Sequence, residues 1–301
     1  AHESPEERAW AVLKKMTLDE KIQLMQGVKG KYIGNVRGIS RLNIPDIRMH
    51  DGPQGFRVTK TTGPEGSSTC WPSALSVAAT WDSNPDGLMV QWVDAMAQEF
   101  KVKGANVMLG PGVGIARVPT AGRNFEYLCG EEPTIGAKLV APMIKGIHKN
   151  GIMGCIKHWV NNEIETDRMQ VSANVTERTR FELYYPPFEA AVQAGVLTAM
   201  CSYNRIGGEH ACQNPKTLNE IHQQLGYKGF IMSDWGATHS TVQSINSGLD
   251  QELPVAEHFS NDNVDKAIND GEVNPEQIDD AALRILSSLF KSGLVDTPVV
   301  G

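Results

Sequence analysis

Charged and aromatic residues follow several short apolar runs of this chain. Asp234 and Trp235 come just after one such run, and Lys157 and His158 come directly after another. An aspartate is rarely buried unless it is paired or has a chemical role. Because Asp234 stands where the chain leaves an apolar run, we interpret it as a candidate catalytic carboxylate.

Four further residues lie at the ends of other apolar runs or in the loops that follow them: Asp51, Arg57, Arg123 and Tyr203. Each also has an ordinary structural interpretation. Asp51 precedes a Gly-Pro pair and can cap a turn, and Tyr203 can be a core tyrosine with a satisfied hydroxyl. The functional interpretation depends on the whole set, because packing alone does not explain such side chains at five separate run ends.

One carboxylate, several cationic and hydrogen-bonding groups, and aromatic side chains are together suited to binding and cleaving a sugar. Asp, Arg, Lys and His bind neighbouring hydroxyls, and an indole covers the apolar face of a sugar ring. Retaining glycoside cleavage needs one carboxylate as nucleophile and a second group that acts first as acid and then as base. Asp234 is the candidate nucleophile, and a nearby Arg or Lys would keep it ionised.

Two other functions fit parts of the same pattern. A lysine at a strand end is the nucleophile of Schiff-base aldolases, so Lys157 would form an imine and Asp234 would move protons. No late glycine-rich phosphate loop accompanies that pattern. A lectin-like barrel that binds sugar without cleaving it is the second alternative, although a binding module has no need of the carboxylate at Asp234.

Composition excludes several classes of protein. The chain has 301 residues with 41% hydrophobic content, enough for one large core, and its formal net charge is −7. This acidic balance argues against nucleic-acid binding, which requires a basic surface. No apolar stretch reaches the roughly 18 residues that a membrane-spanning helix needs, and no polybasic patch favours an anionic membrane.

Short apolar runs alternate with segments of helical period along the whole chain. The runs lie at 47–49, 74–79, 106–109, 153–156, 197–201, 230–232 and, more weakly, 248–253. Strands without polar alternation are typical of a parallel sheet covered on both faces. Seven or eight such units in a chain of this length predict an α/β fold, a (β/α)8 TIM-type barrel. A doubly wound sheet is the alternative, but no GxGxxG follows the first strand.

Helix boundaries are also readable. The spacing predicts helices at 135–147 and 181–192, with Pro186 and Pro187 interrupting the second. Thr17 with Glu20 predicts one helix start, and Asn274 with Pro275 and Gln277 predicts that of the last helix.

The cysteines and one sequon bear on the compartment. The five cysteines form no CxxC or metal-binding spacing, and a bond between Cys201 and Cys212 is one pairing among several. Asn174-Val175-Thr176 is a glycosylation acceptor sequence. These features predict a secreted or extracellular protein.

Several long motifs resemble glycoside hydrolase family 3, and within it the β-glucosidase branch. The motifs are "MHDGPQGFR", "WPSALSVAATWD", "GRNFEYLCGEEP", "KHWVNNEIET", "AMCSYNRIGG" and "GFIMSDWGA". They occur in the family's order, and the resemblance runs from "MTLDEKIQLMQG" to "ALRILSSLFKSGL".

The resemblance implies a role for each candidate residue. Asp234 would be the nucleophile of a covalent glycosyl-enzyme. The hydroxyls of the non-reducing glucose would be bound by four residues, Asp51, Arg123, Lys157 and His158. Arg57 would lie next to these, Tyr203 near the nucleophile, and Trp235 beside the sugar. No metal or organic cofactor is expected.

The resemblance also implies a domain organisation. Residues 1–296 would form the catalytic barrel, irregular in its first strands, and residues 297–301 would begin a linker to a second domain. The expected substrate is a β-glucoside or oligosaccharide.

The acid/base residue is the part of the mechanism that the motifs do not assign. The candidates in this chain are Glu126, Glu131, Glu132, Glu163, Glu165 and Glu252. Two-domain relatives take this glutamate from a following α/β sandwich domain. Single-domain relatives use a histidine soon after the "KH" pair, but "KHWVNNEIETDRMQ" has no second histidine, and nothing matches His210 or His239 to that role. We therefore expect the acid/base on a C-terminal domain or companion chain, the alternative being one of these glutamates.

Overall fold

The chain folds around a curled, mainly parallel sheet with helices packed around it. The computed structural model describes residues 3–58 and 66–299. The strands of the sheet, in spatial order, are Gly34–Val36 (β1), Ile47–Asp51 (β2), Val107–Leu109 (β3), Met153–Trp159 (β4), Thr198–Cys201 (β5) and Phe230–Ser233 (β6). The predicted α/β class is confirmed.

Strand directions and burial agree with the apolar runs. β1 is antiparallel to β2, and the other neighbouring strands are parallel. Every residue of β4, β5 and β6 is buried. Because both faces of these strands are covered, they appear in the sequence as continuous apolar runs without polar alternation. The strands predicted at 47–49, 106–109, 153–156, 197–201 and 230–232 are present.

Isolated backbone bridges continue the pairing between β6 and β1. These bridges are Met232–Gln251, Glu252–Gln26 and Gly27–Val36. The run at 248–253, predicted as a weak strand, therefore contributes single bridges to the sheet and no ladder. Within the described residues the main sheet thus has six strands, one of them antiparallel, where a regular (β/α)8 barrel has eight parallel strands.

The helices lie mainly in the connections between the strands. Their bounds are Pro5–Leu13 (α1), Leu18–Leu24 (α2), Ala74–Ala78 (α3), Leu88–Val102 (α4), Pro133–Lys149 (α5), Glu177–Thr179 (α6), Pro186–Gln193 (α7), Pro215–Asn219 (α8), Val242–Ser247 (α9), Asn261–Asn269 (α10) and Pro275–Lys291 (α11). The helix starts predicted at Thr17 and Asn274 are confirmed, and both are capping boxes.

The segment 74–79, predicted as a strand, is instead helix α3, and that prediction was wrong. Ser73 caps this helix, because its Oγ accepts a hydrogen bond from the Ser76 N–H at 3.2 Å. The buried residues of α3 follow the i, i+3, i+4 period of a helix. Alanine, which is frequent here, favours helix over strand. A short apolar run does not by itself distinguish a buried strand from a buried helix.

The helix predicted at 181–192 is divided at its two prolines, as expected. A π-helical turn spans Arg180–Tyr184, and α7 begins with Pro186. A proline at the first helical position loses no hydrogen bond, because the N–H there has no partner within the helix. The helix predicted at 135–147 is confirmed as α5.

A small second sheet pairs one segment that precedes β5 with two that follow it, and a disulfide joins β5 to the same region. Its strands are Ser172–Ala173, Arg205–Ile206 and Glu209–His210. Cys201, the last residue of β5, is bonded to Cys212. One of the pairings open at the level of sequence is therefore present.

The C-terminal segment follows α11. Val300 and Gly301, which complete the predicted linker 297–301, lie outside the described residues. Among the helices described, none is both long and apolar enough to cross a membrane.

Candidate active site

A cavity of about 640 Å³ opens at the carboxyl ends of the strands. All eight residues that the sequence singled out line it: Asp51, Arg57, Arg123, Lys157, His158, Tyr203, Asp234 and Trp235. Because parallel strands end at the same edge of the sheet, side chains far apart in the sequence meet here.

A bulge in β4 explains how Lys157 and His158 both line this cavity. Lys157 pairs with Met200 and Trp159 pairs with Cys201, so His158 is an extra residue opposite β5. Successive residues of a regular strand point to opposite faces, and a bulge changes that direction. The bulge therefore brings two neighbouring side chains into the same cavity.

Asp234 follows the end of β6 and is only 6% exposed. Its Oδ1 accepts a hydrogen bond from the Trp235 N–H at 2.8 Å. Its Oδ2 has no hydrogen-bond partner among the described residues, although His158 Nε2 lies 3.3 Å away. Burial raises the pKa of Asp234, and the Tyr203 hydroxyl and the Lys157 charge oppose that rise. Asp234 thus presents one unpaired carboxylate oxygen at a buried position in the cavity.

His158 is held neutral beside this carboxyl. Burial and nearby cationic side chains lower its pKa well below the ordinary value. The Tyr127 hydroxyl lies 2.6 Å from His158 Nδ1, and burial raises the pKa of Tyr127 so that it keeps its proton. With Tyr127 donating to Nδ1, the proton of the neutral imidazole is on Nε2, which lies 3.3 Å from Asp234 Oδ2 but outside hydrogen-bonding geometry.

Lys157 and Arg123 converge on one glutamate. Arg123 donates to both carboxylate oxygens of Glu126, at 2.9 and 2.7 Å, and Lys157 Nζ lies 3.4 Å from Oε1. Burial opposes ionisation of Glu126, but the two cations outweigh it and lower its pKa. Glu126 therefore stays ionised and orients the two cations, and it has no proton to donate to a leaving group.

Asp51 and Arg57 form an ion pair in the loop that follows β2. His50 holds this loop in place through hydrogen bonds and a ring contact. Its Nε2 lies 2.6 Å from the Arg57 carbonyl oxygen, its Nδ1 accepts from the Ile33 N–H at 3.2 Å, and its ring stacks on Phe56. Burial lowers the pKa of His50, so the neutral ring makes both hydrogen bonds.

Two aromatic residues flank Asp234. The Trp235 indole N–H donates to the Ile33 carbonyl at 3.1 Å, which fixes the plane of the ring at the cavity. The Arg168 guanidinium lies 4.1 Å from the centre of the Tyr203 ring. Burial raises the pKa of Tyr203, so its hydroxyl remains protonated and available as a donor.

Sequence reasoning missed Arg168, Phe125 and Tyr127, among other residues of the site. Arg168 and Phe125 line the cavity, and Tyr127 orients His158 from behind. All three stand within or next to the long motifs, two of them in "GRNFEYLCGEEP" and Arg168 shortly after "KHWVNNEIET". None directly follows an apolar run, so the strand-end criterion did not select them.

The other five candidate acid/base glutamates do not line the described part of the cavity. Glu252 accepts from three backbone N–H groups, Glu132 caps α5, and Glu165 is paired with an arginine. Glu131 is exposed. Glu163 is the exception in its ionisation, because burial raises its pKa to about 8, but it too lies outside the cavity lining.

The histidine alternatives for the acid/base receive no support from the described residues. The rings of His210 and His239 stack 3.6 Å apart and are not among the cavity-lining residues. No group of three or more His, Cys, Asp or Glu within the described ranges is arranged to hold a metal ion.

Asn174 of the glycosylation sequon is exposed and lies just before α6. Its accessibility permits modification, and glycosylation at this position stays a prediction.

Comparison with known proteins identifies the family. The model of the glycosyl hydrolase family 3 N-terminal domain matches residues 31–288. Beta-glucosidase 1 of Aspergillus aculeatus is 39% identical over 95% of this chain, and a beta-glucosidase of Rhizobium radiobacter is 38% identical over 94%. This chain covers 35% and 34% of those two proteins, so it spans about a third of their length.

Solved structures agree in fold. A β-glucosidase from Chaetomella raphigera superposes with a TM-score of 0.89 at 34% identity, covering 97% of this chain and 41% of that one. DesR, a β-glucosidase from Streptomyces venezuelae in complex with D-glucose, gives 0.89 at 32% identity, covering 98% and 39%. With the family model matching most of its length, this chain belongs to glycosyl hydrolase family 3, and it contains the N-terminal domain of that family.

Proposed function

We propose that this chain is the sugar-binding and nucleophile-bearing part of a β-glucosidase that releases β-linked glucose from non-reducing ends with retention of configuration. The observation that carries the proposal is Asp234, which is buried at a strand end with Oδ2 free of hydrogen bonds among the described residues. The cavity around it holds cationic, hydrogen-bonding and aromatic side chains. The relatives named above are β-glucosidases, and one was solved with D-glucose.

The reaction has two steps. Asp234 Oδ2 attacks the anomeric carbon while the bond from that carbon to the aglycone oxygen breaks, and a general acid protonates the departing oxygen. The same group, now a base, deprotonates a water molecule that attacks the anomeric carbon and releases Asp234. Two displacements on one carbon return the original configuration.

Charge around Asp234 suits the first step. A nucleophile must be ionised, and the pKa of Asp234 is raised by burial and held back by Tyr203 and Lys157. A partly desolvated carboxylate with few hydrogen bonds is more reactive than a fully solvated one. His158, neutral and only 3.3 Å away, adds no competing positive charge.

Four residues are proposed to bind the glucose hydroxyls: Asp51, Arg123, Lys157 and His158. Arg57 orients Asp51 through their ion pair, and Glu126 orients Arg123 and Lys157. Trp235 would cover the apolar face of the ring. Lys157 Nζ is engaged by the Glu126 carboxylate at 3.4 Å, which argues against its use as the imine-forming nucleophile of the Schiff-base alternative.

The acid/base is proposed to come from a C-terminal domain or companion chain. Glu126 is held ionised, and the other five glutamates lie outside the described cavity lining. The relatives are about three times as long as this chain, which leaves room for such a domain.

We further infer that residues 1–296 form one catalytic barrel. A regular barrel has two strands more than the six of this sheet. The three bridges between β6 and β1 stand in for the pairing of those two strands, which supports a closed barrel. Secretion is proposed with it, supported by the Cys201–Cys212 bond, which is typical of oxidising compartments.

Covalent trapping tests the proposed function. We expect an activated 2-fluoro-glucoside to add one fluoroglucosyl group to the protein, because a good leaving group needs no general acid. Intact mass followed by peptide mapping should place the group on Asp234. Asp234→Asn should take no label, while Glu132→Gln, a matched acid-to-amide change on the surface, should label like the parent.

The outcomes separate the alternatives. Labelling of Asp234→Asn at the parental rate would overturn the nucleophile assignment. Reversible glucose binding without label would support the sugar-binding module, and a borohydride-trapped adduct on Lys157 would support the aldolase.

A further inference from the structure

We propose that Glu99 of α4 is a positioning residue, which holds one wall of the sugar cavity in place from outside it. The wall is the segment 67–71, here called the strap, of which Ser68, Thr69 and Cys70 line the cavity. Glu99 itself does not line the cavity. The inference deepens the proposed function, on which its sugar-binding part rests.

One carboxylate holds the strap at two points. Glu99 Oε1 accepts from the Thr69 backbone N–H at 2.9 Å, and Oε2 accepts from the Trp71 indole N–H at 3.1 Å. Lys103, the residue that follows α4, donates through Nζ to the Ser67 carbonyl at 2.5 Å. Both ends of the strap are thereby bonded to the C-terminal end of this helix.

The strap is also in contact with the loop that carries the sugar-binding ion pair. Gly55, in the loop between Asp51 and Arg57, has a φ of +111°, and a Cβ there would lie 2.4 Å from Trp71 Cδ1. This contact leaves no room for a side chain at position 55. The Trp71 indole therefore rests directly on the backbone of that loop.

Helix α4 supports the same loop directly. Phe100 packs edge-on against Phe56 with ring centres 5.1 Å apart, and the Lys103 ammonium lies 5.5 Å from the Phe56 ring centre. Glu99, Phe100 and Lys103 thus together support both the strap and the loop. Displacing the strap would remove the indole that packs over Gly55 and loosen the Asp51–Arg57 pair.

Glutamate suits this position because its carboxylate has two equivalent acceptor oxygens. A carboxylate accepts from both donors at once, whereas the amide of glutamine offers one acceptor oxygen and turns an N–H₂ toward the other donor. Glu99→Gln keeps the size of the side chain and removes one of the two bonds. We expect the strap to leave its bonded position on the order of ten times more often, the cost of one charge-assisted bond.

The experiment measures the strap and the sugar separately. Hydrogen exchange of the Thr69 amide, followed by mass spectrometry of peptides from the strap, reports on the bond to Glu99. Concentration dependence of fluoroglucosyl labelling reports on sugar binding through its half-saturating concentration and on chemistry through its maximal rate. The matched control is Gln98→Ala, an exposed change on the same helix.

In Glu99→Gln we expect about tenfold faster exchange at Thr69, a raised half-saturating concentration and an unchanged maximal rate. Gln98→Ala should match the parent in all three. Trp71→Phe removes the indole donor but keeps a ring on Gly55, so it should shift the same two quantities by less.

Unchanged exchange and unchanged half-saturation in a folded Glu99→Gln protein would overturn the inference. If that variant does not fold, the same two null results in Trp71→Phe would overturn it. If the parent protein takes no label, the proposed function fails, whereas the exchange at Thr69 still decides whether Glu99 holds the strap.

Discussion

At Asp234, burial and charge act on one carboxyl in opposite directions. Burial raises its pKa, and the largest opposing influence is the Tyr203 hydroxyl, followed by the charge of Lys157. Burial thus favours the protonated, unreactive carboxyl, whereas Tyr203 and Lys157 favour the ionised carboxylate that a nucleophile requires. Replacing a side chain that shifts the pKa of Asp234 should therefore change the pH dependence of the reaction and leave the fold largely unchanged.

Tyr203→Phe tests this balance. Loss of the hydroxyl raises the pKa of Asp234 further, so protonated and unreactive Asp234 persists to higher pH. We expect the acidic limb of the fluoroglucoside labelling rate to move upward by about one pH unit, the value of one hydrogen bond to a charged group. The second-order labelling rate measured across pH gives this limb directly.

Tyr184→Phe is the control, because Tyr184 is a buried tyrosine outside the described cavity lining. An acidic limb at the same pH in Tyr203→Phe and in the parent would contradict the balance described for Asp234.

At the scale of elements, helix α11 is joined to β6 through a buried aspartate. Asp250 is fully buried and accepts from Arg284 Nε and Nη2 at 2.9 and 2.7 Å. Its other oxygen accepts from the Ile231 backbone N–H at 2.7 Å. Because Ile231 lies in β6, this carboxylate links the outer helix to the strand that precedes Asp234.

We predict that Arg284→Met destabilises the protein by about 3–5 kcal/mol, because it leaves the buried Asp250 carboxylate without a counter-charge. Urea unfolding measures the loss. Arg178→Met removes an exposed pair with Glu182 and should cost less than about 1 kcal/mol.

Adding Asp250→Asn to Arg284→Met should recover part of the stability, because no buried charge then remains. A double variant no more stable than Arg284→Met would show that lost packing, and not the unpaired charge, causes the effect.

At the scale of the whole molecule, the proposed sugar site has no carboxyl group free of an ion pair, apart from Asp234, among the described cavity residues. Besides Asp234, the carboxylates of that lining are Asp51 and Glu126, and each is paired with arginine. Cleavage of an unactivated bond needs protonation of the leaving oxygen, whereas a nitrophenolate leaves without it.

The chain alone should therefore turn over dinitrophenyl β-glucoside far faster than cellobiose. We expect the ratio of kcat/KM for dinitrophenyl β-glucoside to kcat/KM for cellobiose to be about 10²–10⁴ times larger than in an enzyme that has its own general acid. This factor is the usual contribution of general acid catalysis. Azide should accelerate turnover of the activated substrate and yield β-glucosyl azide, since it needs no base to attack the glycosyl-enzyme. Equal rates for both substrates without azide would place the acid/base within this chain.

The local pattern of the sequence determined which residues could meet at the cavity. Asp234, Lys157, His158 and Tyr203 each follow a buried run, and parallel strands necessarily end at one edge. The helix caps at Thr17 and Asn274 were equally local, since a cap depends on residues within one turn.

Contacts between distant segments decided the remainder. Sequence alone did not exclude Glu126 as the acid, and only its pairing with Arg123 and Lys157 shows that it stays ionised. The run at 74–79 forms a helix because its packing and its Ser73 cap favour one. Single backbone bridges connect the two ends of the sheet, from β6 to β1. Pairing, burial and pKa are properties of neighbours in space, and a linear pattern specifies those neighbours only where they are also close along the chain.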